Sequence, residues 1–161
     1  MDPLAILRVL NRHDVHFLVI GGIAGALHGS ATLTADVDIL YERERTNVRR
    51  LADALVELGA TRRDASNALP AALDARALLN GTNFLLTTRA GELDCIGETP
   101  SGRFTYTQLA PTAESFEIAS DLIVAVVSLE DLISMKRTTG RPKDLAEVEN
   151  LIVLRRVRDA E

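Results

Sequence analysis

Residues 17–22 (FLVIGG) and, after 13 intervening residues, residues 36–40 (DVDIL) decide the fold of this chain. The first stretch is a short apolar run, which predicts a strand ending at Gly21 and Gly22. The compact, Ala-rich residues 23–28 that follow predict a helix. Glycines let a backbone approach a ligand closely, and a helix start presents free N–H groups. The pattern therefore predicts a phosphate cradle at the glycine pair.

Three aspartates on predicted strands are candidates for a metal site beside this cradle. Asp36 and Asp38 are two apart on one strand, so they project from the same face about 6 to 7 Å apart. Two carboxylates at that spacing can share divalent cations, and hard oxygen ligands suit Mg²⁺. Asp94 lies in a later predicted strand between apolar neighbours, where a carboxylate is costly unless it faces a metal, a partner or water. If the two strands are close, Asp94 completes a three-carboxylate site and can act as a base for an attacking hydroxyl.

The rest of the chain alternates helices and strands. Apolar residues at helical spacing from Val48 to Leu58 predict a helix that ends at Gly59. Another helix is predicted to begin at Ser128 and end at Gly140. A last helix begins near Pro142. The predicted strands include the hairpin of residues 83–88 and 92–96, followed by residues 104–108, 115–119 and 122–127. We therefore expect one α/β (α+β) domain over residues 1–161, with a mixed sheet flanked by helices.

Composition excludes several classes of protein. A chain of 161 residues with 47% hydrophobic content can bury a core, so it is not disordered. Its one cysteine, Cys95, excludes a disulfide scaffold and is expected to be a small buried hydrophobe. We find no signal peptide and no stretch long enough to span a membrane, and so expect a cytoplasmic protein without a membrane partner. The net charge of −5 argues mildly against a protein that wraps duplex nucleic acid, but not against an enzyme with metal ions between its carboxylates and a polyanion.

The ordered motifs resemble the DNA polymerase β-like nucleotidyltransferase superfamily. They are Gly21-Gly22, His28-Gly29, residues 34–40 (TADVDIL) and residues 91–94 (GELD). The late segment 128–145 (SLEDLISMKRTTGRPKDL) is similar to the small bacterial branch that includes AbiEii-type and MenT-like toxins. The resemblance covers about residues 17–151.

The resemblance implies a role for each motif residue. Gly21 and Gly22 would hold a triphosphate such as that of ATP. Asp36 and Asp38 would bind two Mg²⁺ ions, and Asp94 would be the third metal-binding carboxylate and the catalytic base.

Two residues of the late segment also receive roles from the resemblance. Lys136 would contact the nucleotide phosphates as part of the catalytic machinery, and Asp144 would orient it. Two positions depart from the family, because Gly22 stands where many relatives carry a Ser, and Thr32 stands where many carry an Arg. That contact would be missing or supplied by another arginine, namely Arg12, Arg43 or Arg89.

The implied function is Mg²⁺-dependent transfer of an NMP from an NTP to an acceptor hydroxyl, with release of pyrophosphate. The resemblance points to tRNA as the acceptor and to a toxin with a cognate antitoxin as its partner. One alternative is a minimal nucleotidyltransferase antitoxin that adenylylates a partner protein. Another is a degenerate domain that binds nucleotide or protein without turnover.

Simpler interpretations stay open for several residues. Asp94 on a hairpin edge would then pair with Arg89. Lys136 and Asp144 would form a surface ion pair worth about 0 to 1 kcal/mol. We expect residues 62–63 (RR) to be solvated.

Overall fold

The computed structural model describes residues 1–31, 34, 36–63 and 73–161. Its helices and strands, in chain order, are α1 (Pro3–Arg12), β1 (Phe17–Ile20), α2 (Gly21–Leu27), β2 (Val37–Tyr41), α3 (Arg45–Glu57), β3 (Thr61–Arg62), α4 (Ala75–Asn80), β4 (Asn83–Thr88), β5 (Gly91–Ile96), α5 (Tyr106–Leu109), a 3₁₀ turn (Ala110–Thr112), β6 (Glu114–Ala119), β7 (Leu122–Val126), α6 (Leu129–Thr139) and α7 (Pro142–Asp159). None of the helices in these ranges is both long and apolar enough to cross a membrane.

The described strands form a seven-stranded sheet in the order β3-β4-β5-β2-β1-β7-β6. Strands β1 and β7 are parallel, as are β2 and β5, and the other neighbours are antiparallel. This mixed sheet with its helices confirms the predicted fold class and the predicted hairpin of β4 and β5.

Strand β2 lies in the middle of the sheet and is covered on both faces. Val37, Ile39, Leu40 and Tyr41 are fully buried. Alternation along the strand predicts Leu40 on the same face as Asp38, and a central strand buries both faces, so Leu40 has an apolar environment too. Asp38 is therefore a carboxylate within an otherwise apolar strand.

The predicted ends of the last two helices are confirmed. The Ser128 hydroxyl accepts the N–H of Asp131 at 3.1 Å, which caps the start of α6. Gly140 ends α6 with φ +67°, in the left-handed region. Pro142 is the first residue of α7. The short link between these helices brings the end of α6 close to the start of α7.

The strand predicted at residues 104–108 is wrong. Thr105 instead caps the short helix α5: its hydroxyl accepts the N–H of Gln108 at 3.3 Å, and the Gln108 side chain accepts the N–H of Thr105 at 3.1 Å. This reciprocal capping box favours a helix over the β-propensity of the aromatic residues around it.

Strand register brings the predicted site residues together. Asp38 pairs with Ile20, the residue before Gly21, on one side. It pairs with Asp94 on the other side. The parallel pairing of β2 and β5 thus places the two aspartates on adjacent strands, about 4.8 Å apart in backbone spacing.

Candidate active site

One cavity of about 230 Å³ brings together every residue that the sequence predicts for the site. It lies at the junction of β1 and α2, next to β2 and β5. The helices α6 and α7 close its other side. Its lining residues are Gly21, Gly22, Thr34, Asp36, Asp38, Asp94, Lys136, Arg141, Lys143, Asp144 and Glu147. The cavity therefore has acidic side chains from β2, from the residue before it and from β5, and both basic and acidic side chains from the segment that forms α6 and α7.

Gly21 lies directly against the Asp38 carboxylate. Its φ is +67°, and a Cβ there would overlap Asp38 Oδ2 and lie 2.9 Å from Asp38 Cγ. A Cβ on Gly22 would lie 2.7 Å from the Cβ of Thr34. Glycine at these positions leaves the backbone open to the cavity, as the predicted cradle requires.

Gly21→Ala tests this close approach. We expect it to lower the free energy of unfolding by more than the roughly 1–2 kcal/mol of a left-handed Ala, because the new methyl group must also displace Asp38. Urea unfolding measures the loss. Gly140→Ala is the matched control, since Gly140 has the same φ of +67° and a Cβ there would lie 3.6 Å from the Arg137 carbonyl oxygen, an ordinary contact. Equal losses for the two variants would show that Asp38 does not restrict residue 21.

Asp38 is the most perturbed carboxylate of the cavity. Burial, and secondarily the charge of Asp36, raise the pKa of Asp38 from 3.8 to about 6, although Lys136, Arg63 and Lys143 act in the opposite direction. Burial is the larger cause, so the fold holds the Asp38 carboxylate in a place that disfavours its charged form. A bound cation would stabilise that charged form.

Asp94 is paired with an arginine that the sequence analysis assigned to the solvated surface. Arg63 Nη2 donates to Asp94 Oδ1, and Arg63 Nη1 donates to Glu92 Oε2 at 2.7 Å. The expectation that Arg63 is simply solvated is wrong, and Arg89 is not the partner of Asp94. Nothing local marks Arg63, because it reaches Asp94 across an intervening strand.

The three predicted metal ligands line the cavity without forming a preformed metal centre. Within residues 1–31, 34, 36–63 and 73–161, no three His, Cys, Asp or Glu side chains converge closely enough to hold an ion. The charge of Asp36 contributes to the raised pKa of Asp38. Asp94 is engaged by Arg63.

Lys136 is bound by a residue that the sequence analysis missed. Its Nζ donates to Glu147 Oε2 at 2.8 Å, and both residues are buried, at 9% and 6% exposure. Glu147 Oε1 is buried and has no hydrogen-bond partner in the described part of the chain. The interpretation of Lys136 as half of a surface ion pair with Asp144 is therefore wrong.

Asp144 instead holds Arg141. Arg141 Nε donates to Asp144 Oδ2 at 2.7 Å across the first turn of α7. The Asp144 hydrogen bond raises the pKa of the Arg141 guanidinium. Asp144 and Glu147 are three apart on α7, so both face the cavity, and their spacing alone does not say which of them meets Lys136. The predicted contact by which Asp144 orients Lys136 is replaced by the pairs Lys136–Glu147 and Arg141–Asp144.

Thr32, which stands in place of the family's Arg, lies outside the described residues.

The chain resembles known proteins in its fold and not in its sequence. No protein-family model matches the sequence, and neither does any curated protein. The lincosamide antibiotic adenylyltransferase LnuA, in its lincomycin-bound structure, is 14% identical with a TM-score of 0.62, and the match covers 94% of each chain. The antibiotic-resistance factor ANT(2″)-Ia is 17% identical with a TM-score of 0.55, over 99% of this chain and 95% of that one. A candidate nucleotidyltransferase from Thermotoga maritima is 18% identical with a TM-score of 0.53, over 100% and 97%. The chain therefore has the fold of nucleotidyltransferases along almost its entire length.

Proposed function

We propose that this protein, whose fold is that of nucleotidyltransferases, transfers an NMP from an NTP to an acceptor hydroxyl. The observation that carries the proposal is the two-sided cavity. Asp36, Asp38 and Asp94 form its acidic side. Lys136, Arg141 and Lys143 form its basic side, where Glu147 pairs with Lys136 and Asp144 pairs with Arg141. A polyphosphate with bound cations is complementary to both sides at once.

The donor set on the acidic side fits Mg²⁺. Carboxylate oxygens are the ligands that Mg²⁺ prefers, and it commonly takes one or two carboxylates together with substrate phosphates. The raised pKa of Asp38 is compatible with this, because a divalent cation would stabilise a carboxylate whose charged form burial disfavours. Asp36, Asp38 and Asp94 would hold a two-metal site, and the bound Mg²⁺ would neutralise the developing charge on the α-phosphate.

The chain's own groups would bind and position the nucleotide. Backbone N–H groups at Gly21 and Gly22 would contact the triphosphate, because both residues line the cavity without a side chain. Lys136 would supply a charge-assisted hydrogen bond to a phosphate oxygen from its fixed place beside Glu147. Asp144 would keep the Arg141 guanidinium at the cavity.

The reaction is an in-line displacement at the α-phosphorus. A bond forms between the acceptor oxygen and the α-phosphorus, the bond from that phosphorus to the pyrophosphate oxygen breaks, and pyrophosphate leaves. Asp94 would take the proton of the acceptor hydroxyl. For this step its carboxylate must be free to accept, although Arg63 now donates to it.

As acceptor we propose tRNA, with the protein acting as the toxin of a toxin–antitoxin pair and its antitoxin as partner. The support is the order of motifs from the glycine pair to the segment 128–145. A second candidate is a small hydroxylated compound. The structural likeness to LnuA and to ANT(2″)-Ia, whose crystal structure contains adenylyl-2″-tobramycin, favours it.

The position of the transferred label tests the reaction. The purified protein is incubated with Mg²⁺ and each NTP, labelled at the α- or the γ-phosphate, together with total RNA, cell extract or hydroxylated antibiotics. We expect α-label but not γ-label on the acceptor, equimolar pyrophosphate, and no product in EDTA. Transfer of γ-label would contradict the proposal, as would nucleotide binding without labelling of any acceptor.

The labelled fraction identifies the acceptor class. Labelled tRNA, together with growth arrest on expression, supports the toxin. A labelled partner protein without growth arrest would indicate the antitoxin alternative, and a labelled small compound would indicate the second candidate.

A further inference from the structure

Arg63 reaches the third carboxylate of the site from two strands away. It follows β3, and its backbone N–H donates to the Leu85 carbonyl at 2.9 Å. Leu85 pairs with Asp94 across β4 and β5. Arg63, Leu85 and Asp94 therefore lie in one row across the sheet, roughly two strand spacings, or about 9–10 Å, from end to end. A long, extended side chain is needed to span that distance, and arginine has one.

The guanidinium binds two carboxylates of β5 at once. One nitrogen meets Glu92 Oε2 at 2.7 Å and the other meets Asp94 Oδ1. The side chains of Arg63 and Asp94 are 26% and 20% exposed, so water screens their attraction only in part. The next carboxylate in the row is Asp38, whose backbone pairs with Asp94. The charge of Arg63 also acts on Asp38.

The Arg63 guanidinium and a divalent metal ion therefore compete for the Asp94 carboxylate. A guanidinium that donates to Asp94 occupies one of its oxygens and adds positive charge beside it. Both effects oppose a divalent cation at Asp94. Asp36 and Asp38 have no such ion pair in the described part of the chain, so a first cation can bind there without displacing an arginine.

We infer that Arg63 holds Asp94 in the metal-free protein and gives it up to a divalent cation, so that Arg63 sets the metal concentration at which the third carboxylate joins the site. Arg63 is thus a positioning residue. The inference rests on the proposed function, because it assumes that Asp94 is a metal ligand.

Direct metal binding tests the inference without any turnover. Mn²⁺ binding to the purified chain is measured by electron paramagnetic resonance and calorimetry, with and without a non-hydrolysable NTP analogue. We expect Arg63→Gln to bind the weaker of its Mn²⁺ ions about tenfold more tightly than the wild type. Arg63→Lys, which keeps the charge but loses the two-pronged contact, should lie between them. Asp94→Asn should lose this ion in both the wild-type and the Arg63→Gln background.

Arg62→Gln is the matched control, because it removes the same charge from the neighbouring position in the chain. The Arg62 guanidinium lies 5.2 Å from the centre of the Phe84 ring. We expect its Mn²⁺ affinity to stay within about twofold of the wild type. Circular dichroism and thermal melting check that each variant is folded. If Arg63→Gln does not fold, Arg63→Lys serves as the test.

The outcomes separate the inference from the proposed function. Wild-type affinity in Arg63→Gln, or weaker binding, would overturn the inference while leaving the metal site in place. A wild-type protein that binds no Mn²⁺ even with nucleotide would overturn both.

Discussion

Asp38→Asn is expected to lower the rate of NMP transfer by at least about a hundredfold while making the protein more stable at neutral pH. The loss of rate follows from removing a charged ligand of the proposed metal site. The gain in stability follows from removing a buried, poorly balanced charge. Few structural residues give both effects, so the pair of results identifies Asp38 as a functional group held at a cost to the fold.

The pH dependence of stability follows from the raised pKa of Asp38. The pKa is about 6 in the folded protein and 3.8 is its ordinary value, so folding disfavours the ionised form. The contribution of Asp38 to the free energy of unfolding therefore falls as pH rises from about 4 to about 6, and its full cost is present above that window. One pKa unit corresponds to about 1.4 kcal/mol, so this cost is about 3 kcal/mol at most.

Urea unfolding in EDTA at pH 4, 5 and 7.5 measures the effect. We expect Asp38→Asn to exceed the wild type by up to about 3 kcal/mol at pH 7.5 and to differ little at pH 4. Asp53→Asn, an exposed change of the same charge on α3, is the control and should show no such trend. Mn²⁺ or Mg²⁺ should stabilise the wild type and not Asp38→Asn. A variant that is less stable than the wild type at pH 7.5 would contradict the assignment.

Glu147→Ala is expected to lower the free energy of unfolding by about 3–5 kcal/mol. It leaves the Lys136 ammonium buried at 9% exposure without its partner at 2.8 Å. It also enlarges the cavity that Glu147 lines. A surface pair would contribute only about 0 to 1 kcal/mol, so the size of the loss distinguishes the two environments.

Two further variants control this measurement. Glu147→Gln keeps the volume and an oxygen that can accept from Lys136, so its loss should be clearly smaller. Lys136→Met combined with Glu147→Leu removes both charges and should regain most of the stability lost in Glu147→Ala, while abolishing the proposed phosphate contact of Lys136. A loss below about 1 kcal/mol in Glu147→Ala would show that the pair is solvated.

The part of the site that could be predicted from sequence is the part that is local in the chain. Gly21 follows directly on an apolar strand, and Asp36 and Asp38 are two residues apart, so strand periodicity and glycine chemistry are enough to propose a cradle beside two carboxylates. The ends of α6 at Ser128 and Gly140 are local in the same way. The strand predicted at residues 104–108 was wrong, although the signal for a helix is local too. Thr105 and Gln108 have the spacing of a capping box, which outweighs the β-propensity of this stretch.

The ion pairs of the site could not be predicted, because they depend on how distant elements pack. Asp94 meets Asp38 through the parallel register of β2 and β5. It meets Arg63 because only one strand, β4, lies between them, and an extended arginine can span that distance. Asp144 and Glu147 are about one turn apart on α7, and the packing of α6 against α7 brings Lys136 to Glu147 rather than to Asp144.

The sequence by itself determined which chemical groups are present, the order in which they occur and the local elements that carry them. Only the tertiary structure decided which charges neutralise one another. Periodicity fixes the direction of a side chain relative to its own strand or helix, whereas a Coulomb interaction depends on the distance to a group on another element and on how much water lies between them. That is why the glycine pair and the nearby carboxylates could be proposed from the sequence, and why Arg63 and Glu147 could be found only in the folded chain.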